Sequence, residues 1–239
     1  QSMRQHAQDL QQVSAERLRD ELLRLLLAPR PATSLRALDM LGALKPVLPE
    51  LSAVKDIEQP GEHRYTVFEH SLKVVDSLGL VLEALAEEYP EEGVRELSSS
   101  LIVLQLGRYR QQISRRLRRE LVRERPLKAL LLLAAAVHDV GKLPEQTEGE
   151  AELRFLGHHE LAAEFMEARS AALRFSREEQ KRLINMVRLH GAMALLPKEP
   201  ELTARMIYRF FLQAGEVGVE LCLLSLADVM GKYGPELPR

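Results

Sequence analysis

Tryptophan is absent and cysteine occurs once, as Cys222. A single cysteine cannot form an internal disulfide and leaves no cysteine pair for a zinc finger. Its setting, Glu220-Leu221-Cys222-Leu223-Leu224, reads as a small core residue rather than a reactive thiol, and such usage fits a reducing compartment. Aromatic residues make up only 5% of the chain. No segment alternates β-branched and polar residues between turns, which argues against sheet and for an all-α protein. No apolar run reaches the ~18 residues needed to span a bilayer. The longest candidate, 127–137, contains Lys128 and stops at His138. The N-terminus, Gln1-Ser2-Met3-Arg4, lacks a signal-peptide pattern. The expectation is a cytoplasmic protein without a membrane partner. Because the chain starts at Gln1 and not at Met, a longer parent protein is also expected. The net charge of −2 with 28% charged residues excludes a disordered polyanion and a uniformly basic nucleic-acid binder. Any nucleic-acid affinity must come from a local patch.

What is present is helix-forming. Leu, Ala, Glu and Arg dominate, and 46% of the residues are hydrophobic, enough for a core in one large or two smaller domains. Apolar spacing predicts helices over 15–27, ended by Pro29 and Pro31, and over 34–44, ended by Pro46. Gln59-Pro60-Gly61 is the strongest internal breaker and divides 1–60 from 61–239. Further helices are expected over 67–88, 95–125 (as one or two), 127–138, 158–171, 202–214 and 217–230. Ser176 with Glu179 three residues on forms a capping box that starts a helix over 176–190.

The candidate chemistry lies in histidines and acids. His138 and Asp139 follow the apolar stretch 130–137 and precede Gly141-Lys142. A helix apolar all round is buried, so its end would set a His and an Asp at the floor of a cleft. A buried carboxylate is costly unless it is paired or binds a metal, and a divalent cation satisfies both side chains. Asp228 is an acid inside an apolar helix, open to a buried ion pair with Arg or Lys or to a metal. His70 shares a helix face with Val67 and Val74; it is open to a core role or a ligand role. Mixed imidazole and carboxylate sets suit Mn, Fe, Co, Ni or Zn better than Mg. Such an ion polarises phosphoryl oxygens and lowers the pKa of water, the chemistry of phosphoester hydrolysis.

The order His70, His138-Asp139, Asp228 resembles the HD superfamily of metal-dependent phosphohydrolases. The surrounding words, Val67-Phe68-Glu69-His70-Ser71-Leu72 and Val137-His138-Asp139-Val140-Gly141-Lys142, match as well. Phe155-Leu156-Gly157-His158-His159-Glu160 and the helix ending at His190 resemble places where two-metal members hold a second ion. The resemblance implies His70, His138, Asp139 and Asp228 as metal ligands, His158 or His159 with His190 for a second ion, and one or two divalent ions. It implies an HD helical bundle preceded by a small helical segment. Lys142 is a candidate to steady charge on a substrate phosphate. The words Glu16-Arg17-Leu18-Arg19-Asp20-Glu21-Leu22, Leu41-Gly42-Ala43-Leu44 and Leu48-Pro49-Glu50-Leu51 resemble the RNA-holding helical segment of bacterial tRNA nucleotidyltransferases and poly(A) polymerases, in the C-terminal part that follows their catalytic head. The Gly-rich turn and paired carboxylates of that head are not found in residues 1–239, so nucleotide addition by this chain alone is not expected. The interval 90–126 is long for an HD core and reads as an inserted helical excursion.

That excursion carries Arg108, Arg110, Arg115, Arg116, Arg118, Arg119, Arg123 and Arg125. Such density could neutralise RNA phosphates, or form a solvated helix face with i,i+4 pairs. Arg64 and Arg188 are lesser candidates for phosphate contact. The resulting expectation is a hydrolase of phosphodiesters or phosphomonoesters on nucleotides or RNA ends, with 2′,3′-cyclic or 2′-phosphates implied and tRNA a candidate partner. The rivals are a non-catalytic tRNA-binding module and a hydrolase of nucleoside polyphosphates or cyclic dinucleotides.

Overall fold

Side-chain caps start four of the helices, at Ser14, Thr66, Ser176 and Thr203. The computed structural model describes residues 7–59, 65–86, 97–143, 155, 157–195 and 202–233. After a 3-10 turn at Ala7–Gln12, α1 (Ala15–Leu27) begins where the Ser14 hydroxyl accepts from the Arg17 N–H. It buries Leu22, Leu23 and Leu26. Helix α2 (Pro31–Met40) takes Pro31 at its first turn, where the missing N–H costs nothing. It stops earlier than the proline positions predict, because Gly42 turns the chain with φ +75°. Two single turns follow, α3 (Leu44–Val47) and α4 (Pro49–Ala53). Helix α5 (Val67–Ala84) begins at Thr66, whose hydroxyl accepts from the Glu69 N–H.

The excursion is neither one long helix nor wholly helical. It contains α6 (Leu97–Leu106), a 3-10 turn at Gly107–Tyr109, and α7 (Arg110–Arg118). A two-stranded hairpin follows, β1 (Glu120–Val122) and β2 (Arg125–Pro126), paired antiparallel with an irregular register. The sequence did not announce it, because its tight turn places Glu124, not Gly or Asn, at φ +61°. The all-α expectation therefore holds apart from this small ribbon.

Helix α8 (Leu127–Val137) buries every side chain except that of Lys128. Around it lie α9 (His158–Ala172), α10 (Arg177–Leu189), a 3-10 turn at His190–Leu195, α11 (Ala204–Ala214) and α12 (Gly218–Tyr233). The capping box at Ser176 and Glu179 is present. The stretch Ala204–Tyr233 is helical, long and apolar enough by composition to cross a membrane, with mean hydropathy 1.5 and half of that window buried. Interrupting charges such as Glu216 and Glu220 hid it from a search for unbroken apolar runs. It is two helices joined at Gly215, and α12 packs Leu221, Leu224 and Ala227 into the core. Cys222 is half-buried at the core's edge, and burial pushes its thiol up.

Two close approaches place the functional side chains. A Cβ on Gly231 of α12 would lie 2.9 Å from Val74 Cγ2 and 3.0 Å from the Val74 nitrogen of α5. A Cβ on Gly141 would lie 2.0 Å from the His158 carbonyl oxygen and 2.7 Å from the Ala162 nitrogen. No real Cβ tolerates such distances, so α12 sits hard on α5, and the end of α8 sits hard on the start of α9.

Candidate metal centre

Each element delivers one or two polar side chains to one point. Helix α5 brings His70, α12 brings Asp228, the end of α8 brings His138 and Asp139, α9 brings His158 and His159, and the end of α10 brings His190. His70, His138 and Asp139 are each at most 2% exposed, and His190 is 8% exposed. His70 Nε2 lies 2.9 Å from Asp228 Oδ1, so that acid's partner is an imidazole rather than a buried Arg or Lys.

Asp139 stands at the middle. Its Oδ2 lies 3.2 Å from His138 Nε2, 3.7 Å from His70 Nε2 and 2.7 Å from Lys142 Nζ. Its Oδ1 faces the other way, 3.4 Å from both His158 Nε2 and His190 Nε2. One carboxylate is thus shared between two clusters of imidazoles. His70, His138 and Asp139 can each offer a ligand atom within 4.8 Å of the others, and so can His158, His159 and His190.

The imidazoles are oriented by one repeated device. Nδ1 of His138 meets the Ala135 carbonyl at 2.9 Å, that of His158 the Phe155 carbonyl at 2.7 Å, and that of His190 the Val187 carbonyl at 2.7 Å. Each partner lies three residues earlier. A carbonyl can only accept, so each Nδ1 carries a proton, and each Nε2 is turned toward Asp139. For His158 the device costs strain. Phe155 is buried and adopts φ +65°, a conformation costly for a bulky residue. His159 packs over His158 and His190, with ring centroids 3.8 Å and 4.4 Å away. A Cβ on Gly191 would lie 2.5 Å from His159 Nε2, so this glycine makes room for that ring.

The electrostatics differ from side to side. Burial pushes the Asp139 carboxyl up, but the charges of His138 and Lys142 outweigh it and hold it well below the usual range. Burial likewise opposes ionisation of Asp228, yet the hydrogen bond from His70 and the charge of His138 take it down to about 2. Burial works against protonated His138, but Asp139 beside it raises its pKa. Burial, with His190 and His158 adjacent, lowers His159 to about 3, and burial also lowers His190.

The residues present fit a divalent ion. His138 Nε2 and Asp139 Oδ1 are buried without a hydrogen-bond partner, in a set made of imidazoles and carboxylates. Ions that take mixed N and O ligands suit such a set.

The remaining sequence candidates scatter. Lys142 reaches the centre, but Arg188 pairs with Glu160 on the surface at 2.9 Å. Arg108 lies over Tyr109, 4.8 Å from the ring centroid, and Arg108, Arg115 and Arg118 are exposed while Arg110 is half-buried. The structure does not bring these arginines together with the centre's residues. Two arginines of the basic stretch serve the core instead. Arg116 pairs with the fully buried Glu220 at 2.7 Å, and Arg125 with the cap residue Glu179 at 3.0 Å. Arg64 lies outside the described residues, as does His63. Sequence reasoning missed Gln59, whose Oε1 lies 2.8 Å from Lys142 Nζ. It also missed Gly191 and Gly231; only the word His190-Gly191 offered a local signal, a small residue directly after a candidate ligand.

Comparison with known proteins agrees with this geometry. Residues 1–55 match the family described as the probable RNA and SrmB-binding site of polymerase A. Residues 67–230 match the HD domain. A CC-adding tRNA nucleotidyltransferase of Thermus thermophilus is 33% identical over 223 residues, which is 92% of this chain and 40% of that protein. An A-adding tRNA nucleotidyltransferase of Deinococcus radiodurans is 27% identical over 223 residues, again 92% of this chain and 40% of the relative. The chain thus spans about two fifths of the length of the relatives it matches. Since the match to the HD domain runs from α5 to α12 and takes in every residue of the shared-carboxylate centre, the chain belongs to the HD-domain family, a superfamily of metal-dependent phosphohydrolases, and is homologous to tRNA nucleotidyltransferases along nearly its whole length.

Proposed function

We propose that this chain is a metal-dependent phosphohydrolase acting on phosphodiesters or phosphomonoesters of nucleotides or RNA ends, with RNA held by the segment up to about residue 60 and an HD domain after it. The observation that carries the reading is Asp139 between two imidazole clusters, one with His70, His138 and Asp228, the other with His158 and His190. His70, His138, Asp139 and Asp228 would hold one divalent ion, and His158, His159 and His190 with Asp139 a second. Ions held there, Mn, Ni, Co, Fe, Zn or Mg, supply Lewis acidity toward a phosphoryl oxygen and toward water. The chain's own residues do the rest. The Nδ1 bonds orient the rings of His138, His158 and His190, Asp228 holds His70 in place, and the ammonium of Lys142 meets the developing phosphoryl charge.

RNA as partner is supported by the match over residues 1–55 and by the relatives' substrate. On the excursion, Arg108, Arg115, Arg118 and Arg119 are all exposed, while Ile113 and Leu117 of α7 are buried. Neutral glutamines at Arg115 and Arg119 are expected to weaken tRNA binding and flatten its salt dependence by about 0.7–0.9 in log–log slope for each RNA phosphate left without its arginine.

The decisive assay is hydrolysis of 2′,3′-cyclic nucleotides and of a generic phosphodiester by the purified chain across these metals. Metal-dependent turnover that disappears in Asp139→Asn supports the reading. A folded chain that stays inactive with every metal, on these substrates and on a panel of nucleoside polyphosphates and cyclic dinucleotides, overturns it. A second reading draws on the relatives being nucleotidyltransferases: the chain grips and orients tRNA without hydrolysis. It predicts tRNA binding that Asp139→Asn leaves unchanged.

A further inference from the structure

Lys142 competes for the oxygen on which the centre depends. Its ammonium lies 2.7 Å from Asp139 Oδ2, the same oxygen that faces His138 and His70. The lysine side chain is only 12% exposed. Its other partner comes from outside the helical words that frame the centre. Gln59 Oε1 lies 2.8 Å from Nζ, and Gln59 is 8% exposed. The Gln59 amide nitrogen donates to the Tyr65 carbonyl at 3.4 Å, which turns its oxygen toward the lysine. The backbone around it is pinned by the bridge between Glu58 and Thr66, the residue that caps α5. The Phe155 ring stands 5.9 Å from Nζ on a further side. The ammonium is therefore held between a carboxylate, an amide oxygen and an aromatic face.

A divalent ion on Asp139 Oδ2 needs the lone pairs that the ammonium occupies, and the two cations repel. We propose that Lys142 is a built-in competitor of the metal, and that Gln59 is a positioning residue: the second seat that keeps the ammonium in the cleft when a divalent ion takes the carboxylate. The proposal rests on the metal reading above. It gives the chain between the RNA-binding-like segment and the HD domain a part in the centre. Without Gln59 the ammonium has Asp139 as its one anionic or amide-oxygen partner among the described residues, and it opposes the metal more strongly. Without Lys142 the metal meets no rival and Gln59 has nothing to hold.

The test is a double-mutant cycle read by calorimetric titration of Mn²⁺ into the full chain, with the circular dichroism melt of each variant alongside. Lys142→Met is expected to tighten Mn²⁺ binding and Gln59→Leu to weaken it, each by about three- to tenfold, within the range of coupling between contacting residues. In the Lys142→Met background, Gln59→Leu is expected to change nothing. Gln59→Glu, which keeps an oxygen at the seat, should restore wild-type affinity or exceed it. If Gln59→Leu does not fold, Gln59→Ser takes its place in the cycle. An equal effect of the Gln59 change in both backgrounds, or no tightening in Lys142→Met, overturns the proposal while leaving the metal reading intact. A folded wild type that binds no divalent ion overturns both.

Discussion

The two halves of the centre share Asp139 and differ in almost everything else. On the α5 and α12 side two histidines meet two carboxylates and a lysine, and His138 is held toward protonation by the Asp139 charge. On the α9 and α10 side three histidines crowd together with one carboxylate oxygen, and burial lowers both His159 and His190, helped by His190 and His158 in the first case and His138 in the second. The first half is rich in charge and must lose a proton before it takes a metal. The second is a cluster of imidazoles whose one anionic oxygen is shared with the first. A shared carboxylate couples them, so neither is independent of the other.

The strongest way to break the comparison is to remove what is shared. Asp139→Ala is expected to abolish metal binding in both halves and to lower metal-dependent hydrolysis at least about a hundredfold, since even outer partners of metal ligands cost 10–100-fold. Metal content by mass spectrometry and turnover measure it; a variant that keeps one ion would show that the halves stand alone. Next in size is Gly141→Ala. Its Cβ would strike the backbone of α9, and overpacking of this kind costs about 3 kcal/mol. At roughly 2–4 °C per kcal/mol for a chain of this size, the thermal midpoint should fall by about 6–12 °C.

His190→Ala separates the halves more finely. It should remove the second ion, or weaken it about tenfold or more, while His70, His138 and Asp228 still bind the first. Titration calorimetry is expected to show two binding steps in the wild type and one in the variant. The last effect is a slope, and partial exposure of His159 to solvent reduces it. His159 has a folded pKa near 3 against about 6.5 unfolded. The unfolded chain binds the extra proton first, so stability is full above pH ~6.5 and declines as pH falls from there toward 3. Urea midpoints across that window should fall less steeply in His159→Gln.

How much of this was legible follows from how local each signal is. The His138-Asp139 pair could be read because an apolar helix stops at it, and buried charge at such a stop demands a partner. His70 and Asp228 were readable only through their order in the HD resemblance, since one sits on an ordinary amphipathic face and the other could have faced an arginine. Gly231 and Gln59 carried no local signal. Their roles come from contacts with Val74 and Lys142, and nothing in a neighbouring word encodes a partner on another helix. The hairpin was hidden for the opposite reason: its turn is built from Arg123 and Glu124, residues that read as helix surface. The arginine stretch was legible as charge but not as division of labour. Arg116 and Arg125 went to Glu220 and Glu179, far apart in sequence from the stretch itself.

The hydrogen bond from His70 to Asp228 spans 158 residues. Contacts of such separation form late, because the loop they close costs entropy before it is rewarded. As the chain leaves the ribosome, His70, His138 and Asp139 are in hand long before Asp228. Only the docking of α12 against α5 at Gly231 brings Asp228 into place. The centre is therefore complete only once α12 has docked, and every side chain that would hold a first ion waits on that helix.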